Sequence, residues 1–312
     1  MRTAFIETLC QLAAEDSRIW LLTGDLGYSV LERFAERFPE RFVNVGVAEQ
    51  NMTGVAAGLA LCDKVVFTYS IANFSTLRCL EQIRNDVCYH NLSVKVVAIG
   101  GGLAYGPQGY THYGVEDLAV MRALPNMAVV APGDPMETRL ATRVVAQHPG
   151  PCYLRLGKAH ESFVHLQEPE FVFGKAITVR RGGDATLVTT GGTLKLAVEA
   201  ADALAREGVA VHVMSIPFLS PLDVDALQAA AGCTRLICVL EEHGSVGGLS
   251  DAVARSLVGH TPCRLHFVTV DTPWLLQSRR IGSQAYLAKR LGFTVDAITR
   301  QVLEWLSEPQ GP

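Results

Sequence analysis

Short apolar runs alternate with helix-period stretches along this 312-residue chain, and that alternation limits the possible folds more than any other feature. RIWLLTG (18–24), RFVNVG (41–46), KVVFTY (64–69), VKVVAIG (94–100), MAVVAP (127–132) and PCYLRLG (151–157) are strand-length. Helical patterns separate them at 29–37, 48–61, 75–90, 114–123 and 134–147. Strands this apolar have no wet face, so they predict a parallel sheet covered on both sides by helices. HESFVHLQEPEFVFGKA (160–176) breaks the rhythm with mixed charge and a proline, and reads as a linker. A second alternating block follows, with strands at 184–191, 209–216, 234–242 and 263–270. Its helices fall near 193–207, 223–231, 246–258 and 294–307. The expectation is an α/β chain of two doubly wound domains with mainly parallel sheets, 1–165 and a smaller 166–312.

Hydrophobic residues make up 49% of the chain and charged ones 19%, enough apolar material for two cores. A net charge of −4 with no basic run gives nucleic-acid binding no electrostatic support. The apolar stretches are too short and too interrupted to predict a membrane span. The opening MRTAFIETLCQLAAED reads as an amphipathic helix rather than a signal peptide, so a cytoplasmic protein is expected. Eight cysteines without a C-x-x-C pair are expected to be reduced, buried thiols, and no metal site is expected from Cys or His spacing.

Glycines cluster where strands end: Gly24, Gly46, Gly100 to Gly102, Gly191-Gly192 and Gly244 to Gly248. Ligands in such sheets bind beyond the carboxyl ends of strands. GGGLAYGPQGYTHYG (100–114) is no dinucleotide fingerprint, because a loop containing a proline follows the glycines instead of a helix. A loop of that length in a compact domain is usually functional. NVGVAEQNMTGVAAGLAL (44–61) places Glu49 in the first turn of a helix rich in small apolar residues. Helix-dipole stabilisation alone would account for an acid there. Val45, Val47, Met52 and Val55 surround it in sequence and would favour a neutral carboxyl.

GDLGYSVL (24–31), FVNVGVAEQNMTGVAAGLAL (42–61), CLEQIRND (79–86), the stretch from Gly106 to Thr138 and GPCYLRLGK (150–158) resemble the pyrimidine-binding domain of transketolases. LEEHGSVGGLSDAV (240–253) resembles the transketolase C-terminal domain. The likeness spans nearly the whole chain in order, and is nearest to the C-terminal subunit of split, two-chain transketolases. It implies thiamine diphosphate as cofactor. It also implies that Glu49 bonds the N1′ nitrogen of the aminopyrimidine and so helps make the thiazolium carbon a nucleophile. Phe74 matches the aromatic that stacks on that ring, with Ile71 beside it and Asp25 as an acid near the cofactor. His112 matches a histidine that assists proton transfers on the sugar. Arg155 and Ser29 match residues that bind the substrate's terminal phosphate.

The G-D-G motif that anchors the diphosphate through Mg2+ or Ca2+ in these enzymes is absent from this sequence. The resemblance therefore implies a separate subunit carrying the diphosphate and metal half, in an α2β2 assembly. Gly100 and Gln108 stand where ordinary transketolases carry His and Asp. Those departures, with a mouth that three glycines would widen, suggest a larger or differently decorated sugar, as in polysaccharide biosynthesis. His243 and GSVGGL are expected to serve subunit packing, and Glu116 and Asp117 to act as acids at a helix start. Two rival readings remain: a synthase that decarboxylates a 2-oxo acid, and a non-catalytic scaffold subunit.

Overall fold

A computed structural model describes residues 1–158, 161–259 and 263–308, so His160, at the start of the expected linker, lies outside it. The first block supplies β1 (Ile19–Thr23), β2 (Phe42–Asn44), β3 (Val65–Ile71), β4 (Val94–Ile99), β5 (Ala128–Val130) and β6 (Cys152–Leu156). The second supplies β7 (Ile177–Arg180), β8 (Ala185–Thr189), β9 (Val211–Ser215), β10 (Phe218–Ser220), β11 (Leu236–Gly244) and β12 (Arg264–Val270). They form a seven-stranded sheet in the order β10-β5-β6-β4-β3-β1-β2 and a five-stranded sheet in the order β12-β11-β8-β9-β7. Every pairing is parallel except those of β10 with β5 and of β7 with β9. β3, β4 and β6 are buried along their whole length, which explains why they are mostly apolar on both faces.

The order of the larger sheet reverses between β1 and β3, so the crevice at that switch point opens beside their carboxyl ends. The helix Glu49–Leu61 enters the sheet's face there through Met52, Ala56 and Ala57.

β10 comes from the second block yet joins the first sheet, so the two units interlock. The stretch read as a linker is strapped down on the way. Asp134 accepts the backbone N–H groups of Val164 and His165, and Phe171 and Phe173 pack on Phe218 of β10. Residues 75–90 are not the single helix their periodicity predicts. The chain turns at Thr76 (φ −110, ψ −80), whose hydroxyl back-bonds to the Ala72 carbonyl at 2.6 Å. Short turns follow, ending in a π-type turn at Ile83–Cys88. Helices Thr272–Ser278 and Gln284–Arg290 were also unread, each only seven residues long.

All eight cysteines are free, but Cys62 and Cys233 are exposed and Cys263 is half-buried, because they lie at or next to the ends of elements. Burial pushes the Cys79 and Cys152 thiols up to about 11 and Cys88 up to about 12, from 9.0. Below pH 9 both states keep these protons, and no stability is lost. Above it the unfolded chain loses them first, each thiol contributing up to ~1.4 kcal/mol per pH unit against the fold. Lys95, lowered to about 8 by desolvation, works in the opposite direction. Denaturant midpoints are expected to fall between pH 9 and 10.5, with the three thiols outweighing the one amine. A flat profile there would show the thiols to be solvated.

Candidate active site

The site forms where β1, β3, β4 and β6 end. Thr23 at the tip of β1 leads into Gly24 and Asp25. A Cβ on Gly24 would lie 3.3 Å from the Gly46 carbonyl and 3.4 Å from the Glu49 side chain, so the glycine lets Glu49 lie close against the strand end. Asn44 knits the two loops by accepting from the N–H groups of Asp25 and Gly46 at 3.0 Å each. Glu49 is the first residue of its helix and is only 2% exposed. Its surroundings differ from the wholly apolar ones expected. Met52 is buried and Val45 and Val55 are half-buried, but Val47 is 75% exposed because it lies on the loop before the helix. A cation is present as well: Arg78 Nη1 donates to Glu49 Oε2 at 2.7 Å.

Phe74 stands half-buried beyond Ile71, in the turn after β3. The Arg78 guanidinium lies 4.4 Å from its ring centroid. His112 also meets the ring edge-on, with centroids 5.0 Å apart. Its Nδ1 pairs with the Thr111 hydroxyl at 3.0 Å. Asn73 donates to the Thr111 carbonyl at 2.7 Å and so ties the histidine loop to the Phe74 turn. Tyr105 follows, 6.1 Å from His112, and Lys158 Nζ lies 4.4 Å over the Tyr105 ring. Glu49, Arg78, Phe74, His112, Tyr105 and Lys158 thus make one continuous wall. The loop carrying His112 is not open chain but two short turns, Gly106–Gln108 and Tyr110–His112.

The three glycines do not widen the mouth. Each admits a side chain of this chain: Tyr105 over Gly100, Arg155 against Gly101 and Glu242 against Gly102, all within 3 Å of where a Cβ would stand. Gly100 has φ +75, so the backbone itself favours glycine there. Arg155, expected to meet a substrate phosphate, is engaged within the chain. It is 5% exposed, donates through Nε to Asp117 Oδ2 at 2.8 Å, and through Nη2 to the carbonyls of Gly114 (2.7 Å) and Glu242 (3.0 Å). Those bonds take up most of its donors and make it a strut between the two sheets. Asp117 is its buried partner, also bonded by the Tyr153 hydroxyl at 2.6 Å, and it opens the helix Asp117–Arg122 as expected of an acid at a helix start. Burial pushes the neighbouring Glu242 carboxyl up, while its hydrogen bond from Gln284 opposes that shift.

His243 is fully buried and meets the backbone N–H of Ala119, so it joins the two units within the chain rather than facing another subunit. Asp25 is exposed in the left-handed region (φ 59) and pairs with the Tyr28 hydroxyl at 3.0 Å. Ser29, also left-handed (φ 63), donates its N–H to Glu32. Gln108 is exposed on its turn. Sequence reasoning passed over Arg78, Tyr105 and Lys158. The four-residue spacing from Phe74 to Arg78 was the available signal for the first of them.

These residues suit an aminopyrimidine ring: a buried carboxyl whose side-chain partner is an exposed arginine, and a flat aromatic face beside it. Residues 1–161 match the family "Transketolase, pyrimidine binding domain", and 174–298 match "Transketolase, C-terminal domain". The chain is 38% identical to one of the subunits of the apulose-4-phosphate transketolase of Phocaeicola vulgatus, over 98% of this chain and 97% of that one. It is 34% identical to the 6-deoxy-6-sulfo-D-fructose transketolase subunit SqwH of a Clostridium species, over 97% and 94% of the two chains. The solved structure titled "Split gene transketolase, inactive beta4 tetramer" superposes with a TM-score of 0.87 at 36% identity, covering 98% of this chain and 97% of that one. The fold and the site thus define an α/β chain of the kind that binds the pyrimidine half of thiamine diphosphate. The chain belongs to the transketolase family, a family of transferases that use this cofactor.

Proposed function

We propose that this chain, divided near residue 165 into pyrimidine-binding and C-terminal domains, is one subunit of a two-chain transketolase that moves a two-carbon ketol unit between sugars. The observation that carries the reading is Glu49, buried at a helix start beside the Phe74 face. The diphosphate and its Mg2+ or Ca2+ are assigned to a separate subunit, in an α2β2 complex, because the sequence has no G-D-G motif. The relatives described as transketolase subunits support that division.

When bound, thiamine diphosphate supplies a carbon nucleophile able to hold the transferred fragment. Glu49 holds a proton at the aminopyrimidine N1′, and Phe74 and Ile71 wall the ring. His112, steered by Thr111, takes and returns the proton of a sugar hydroxyl. Asp25 stands at the rim of the crevice. The distal anionic group of the sugar is assigned to Lys158 and Arg2, with Ser29, instead of Arg155. These three line a hollow of about 520 Å3. Its two acids are already engaged, Glu161 by the N-terminal ammonium and Glu7 by Arg33, while Arg2 and Lys158 form no ion pair among the described residues. Tyr105, over Gly100, shapes the approach in place of the family histidine.

Reconstituted with its partner, the enzyme is expected to transfer ketol units between phosphorylated sugars without releasing carbon dioxide. Carbon dioxide release from pyruvate would favour the synthase reading instead. Lys158→Met is expected to raise KM for a phosphorylated sugar roughly 10–100-fold, in line with losing a charge-assisted contact. KM for the unphosphorylated sugar should stay unchanged. Equal effects on both would remove the anion from the assignment.

A further inference from the structure

Arg78 stands in the slot that the proposed function reserves for the aminopyrimidine ring. Its Nη1 bonds Glu49 Oε2 at 2.7 Å, and its guanidinium covers the Phe74 face at 4.4 Å. A guanidinium is flat and offers hydrogen-bonding nitrogens along one edge. An aminopyrimidine is also flat, needs the same carboxyl at its edge, and needs the same aromatic face. A ring that takes Glu49 Oε2 and this face of Phe74 has to move Arg78.

The arrangement suits a group that leaves. The Arg78 side chain is 44% exposed, whereas Glu49 is 2% exposed. Glu49 is the one side-chain hydrogen-bond partner of Arg78 among the described residues. Arg78 rides on the short turn Leu77–Cys79 rather than inside a long helix. Swinging outward therefore costs it one ion pair, which water partly replaces, and its contact with the Phe74 ring. Glu49 cannot swing out in the same way. It is fixed at the start of the helix Glu49–Leu61, and a buried carboxylate left without a partner is costly.

We propose that Arg78 is a placeholder for the cofactor ring. It occupies the Glu49 carboxyl and covers the Phe74 face until the aminopyrimidine displaces it. The carboxyl exchanges a cation for a ring nitrogen, and the slot is never empty or collapsed. The inference rests on the reading of Glu49 and Phe74 as the ring site.

The test is titration of thiamine diphosphate with Mg2+ into the two-chain complex, followed by calorimetry and by intrinsic fluorescence. Arg78→Met removes the competitor and is expected to tighten binding about tenfold and speed association, while Arg78→Lys falls between it and the unaltered enzyme. A crystal of the cofactor-bound complex is expected to show Arg78 more than about 3.5 Å from Glu49, beyond hydrogen-bond range. Unchanged or weakened binding in Arg78→Met, or a guanidinium still on Glu49 beside the bound ring, would overturn the placeholder while leaving the site reading standing. Failure of the unaltered complex to bind the cofactor at all would overturn both.

Discussion

Glu49→Gln is expected to lower turnover of the assembled enzyme by about 10³-fold, within the range for removing a positioned proton-transfer group. The substitution keeps size, shape and the capacity to hydrogen-bond, so the helix still begins at residue 49 and Met52, Ala56 and Ala57 still enter the core. What it removes is the ability to hold and release a proton at a ring nitrogen. It also removes the ion pair with Arg78, whose partner side chain is largely in water, a loss of no more than about 1 kcal/mol. Activity should therefore collapse while the thermal midpoint moves by a few degrees at most. Turnover within tenfold of the unaltered enzyme would remove the carboxyl from the chemistry, and with it the case against a scaffold subunit.

The sheets were legible because burial on both faces leaves a plain signature: β3, β4 and β6 are short, mostly apolar and separated by helix-period stretches. Glu49 was legible because a carboxyl in a dry helix start calls for an explanation, and the local motif supplied one. Short elements escaped, since β7 and β10 carry four and three residues and pair antiparallel with strands far away in sequence. The three glycines at 100–102 were read as space for a ligand, but whether a missing Cβ serves a ligand or the protein's own side chain depends on contacts across the fold. Tyr105 is five residues away from its glycine, and Glu242 is 140 residues from Gly102. The bracing contacts of Arg155 were hidden for a related reason. At the end of a strand, an arginine that grips a phosphate and one that braces a neighbouring sheet look alike until Asp117 and the Glu242 carbonyl are placed beside it.

That brace is expected to dominate the stability of the chain. Arg155→Met leaves Asp117 buried with only the Tyr153 hydroxyl, and strips the Gly114 and Glu242 carbonyls of their guanidinium donor. Breaking a buried ion pair by removing one partner typically costs about 3–5 kcal/mol, a large share of a usual folding stability of about 5–15 kcal/mol. The Glu242 carbonyl belongs to β11, whereas Arg155 ends β6, so part of the loss should appear as loosened docking between the two sheets. Hydrogen exchange would report it first around β11 and the Gly101 loop. Adding Asp117→Leu to Arg155→Met should recover part of the stability, because the stranded charge goes with it, and the double-mutant cycle measures the coupling. The opposite pattern, near-normal stability with a raised KM for phosphorylated sugars alone, would return Arg155 to the substrate and take the anion away from Lys158 and Arg2.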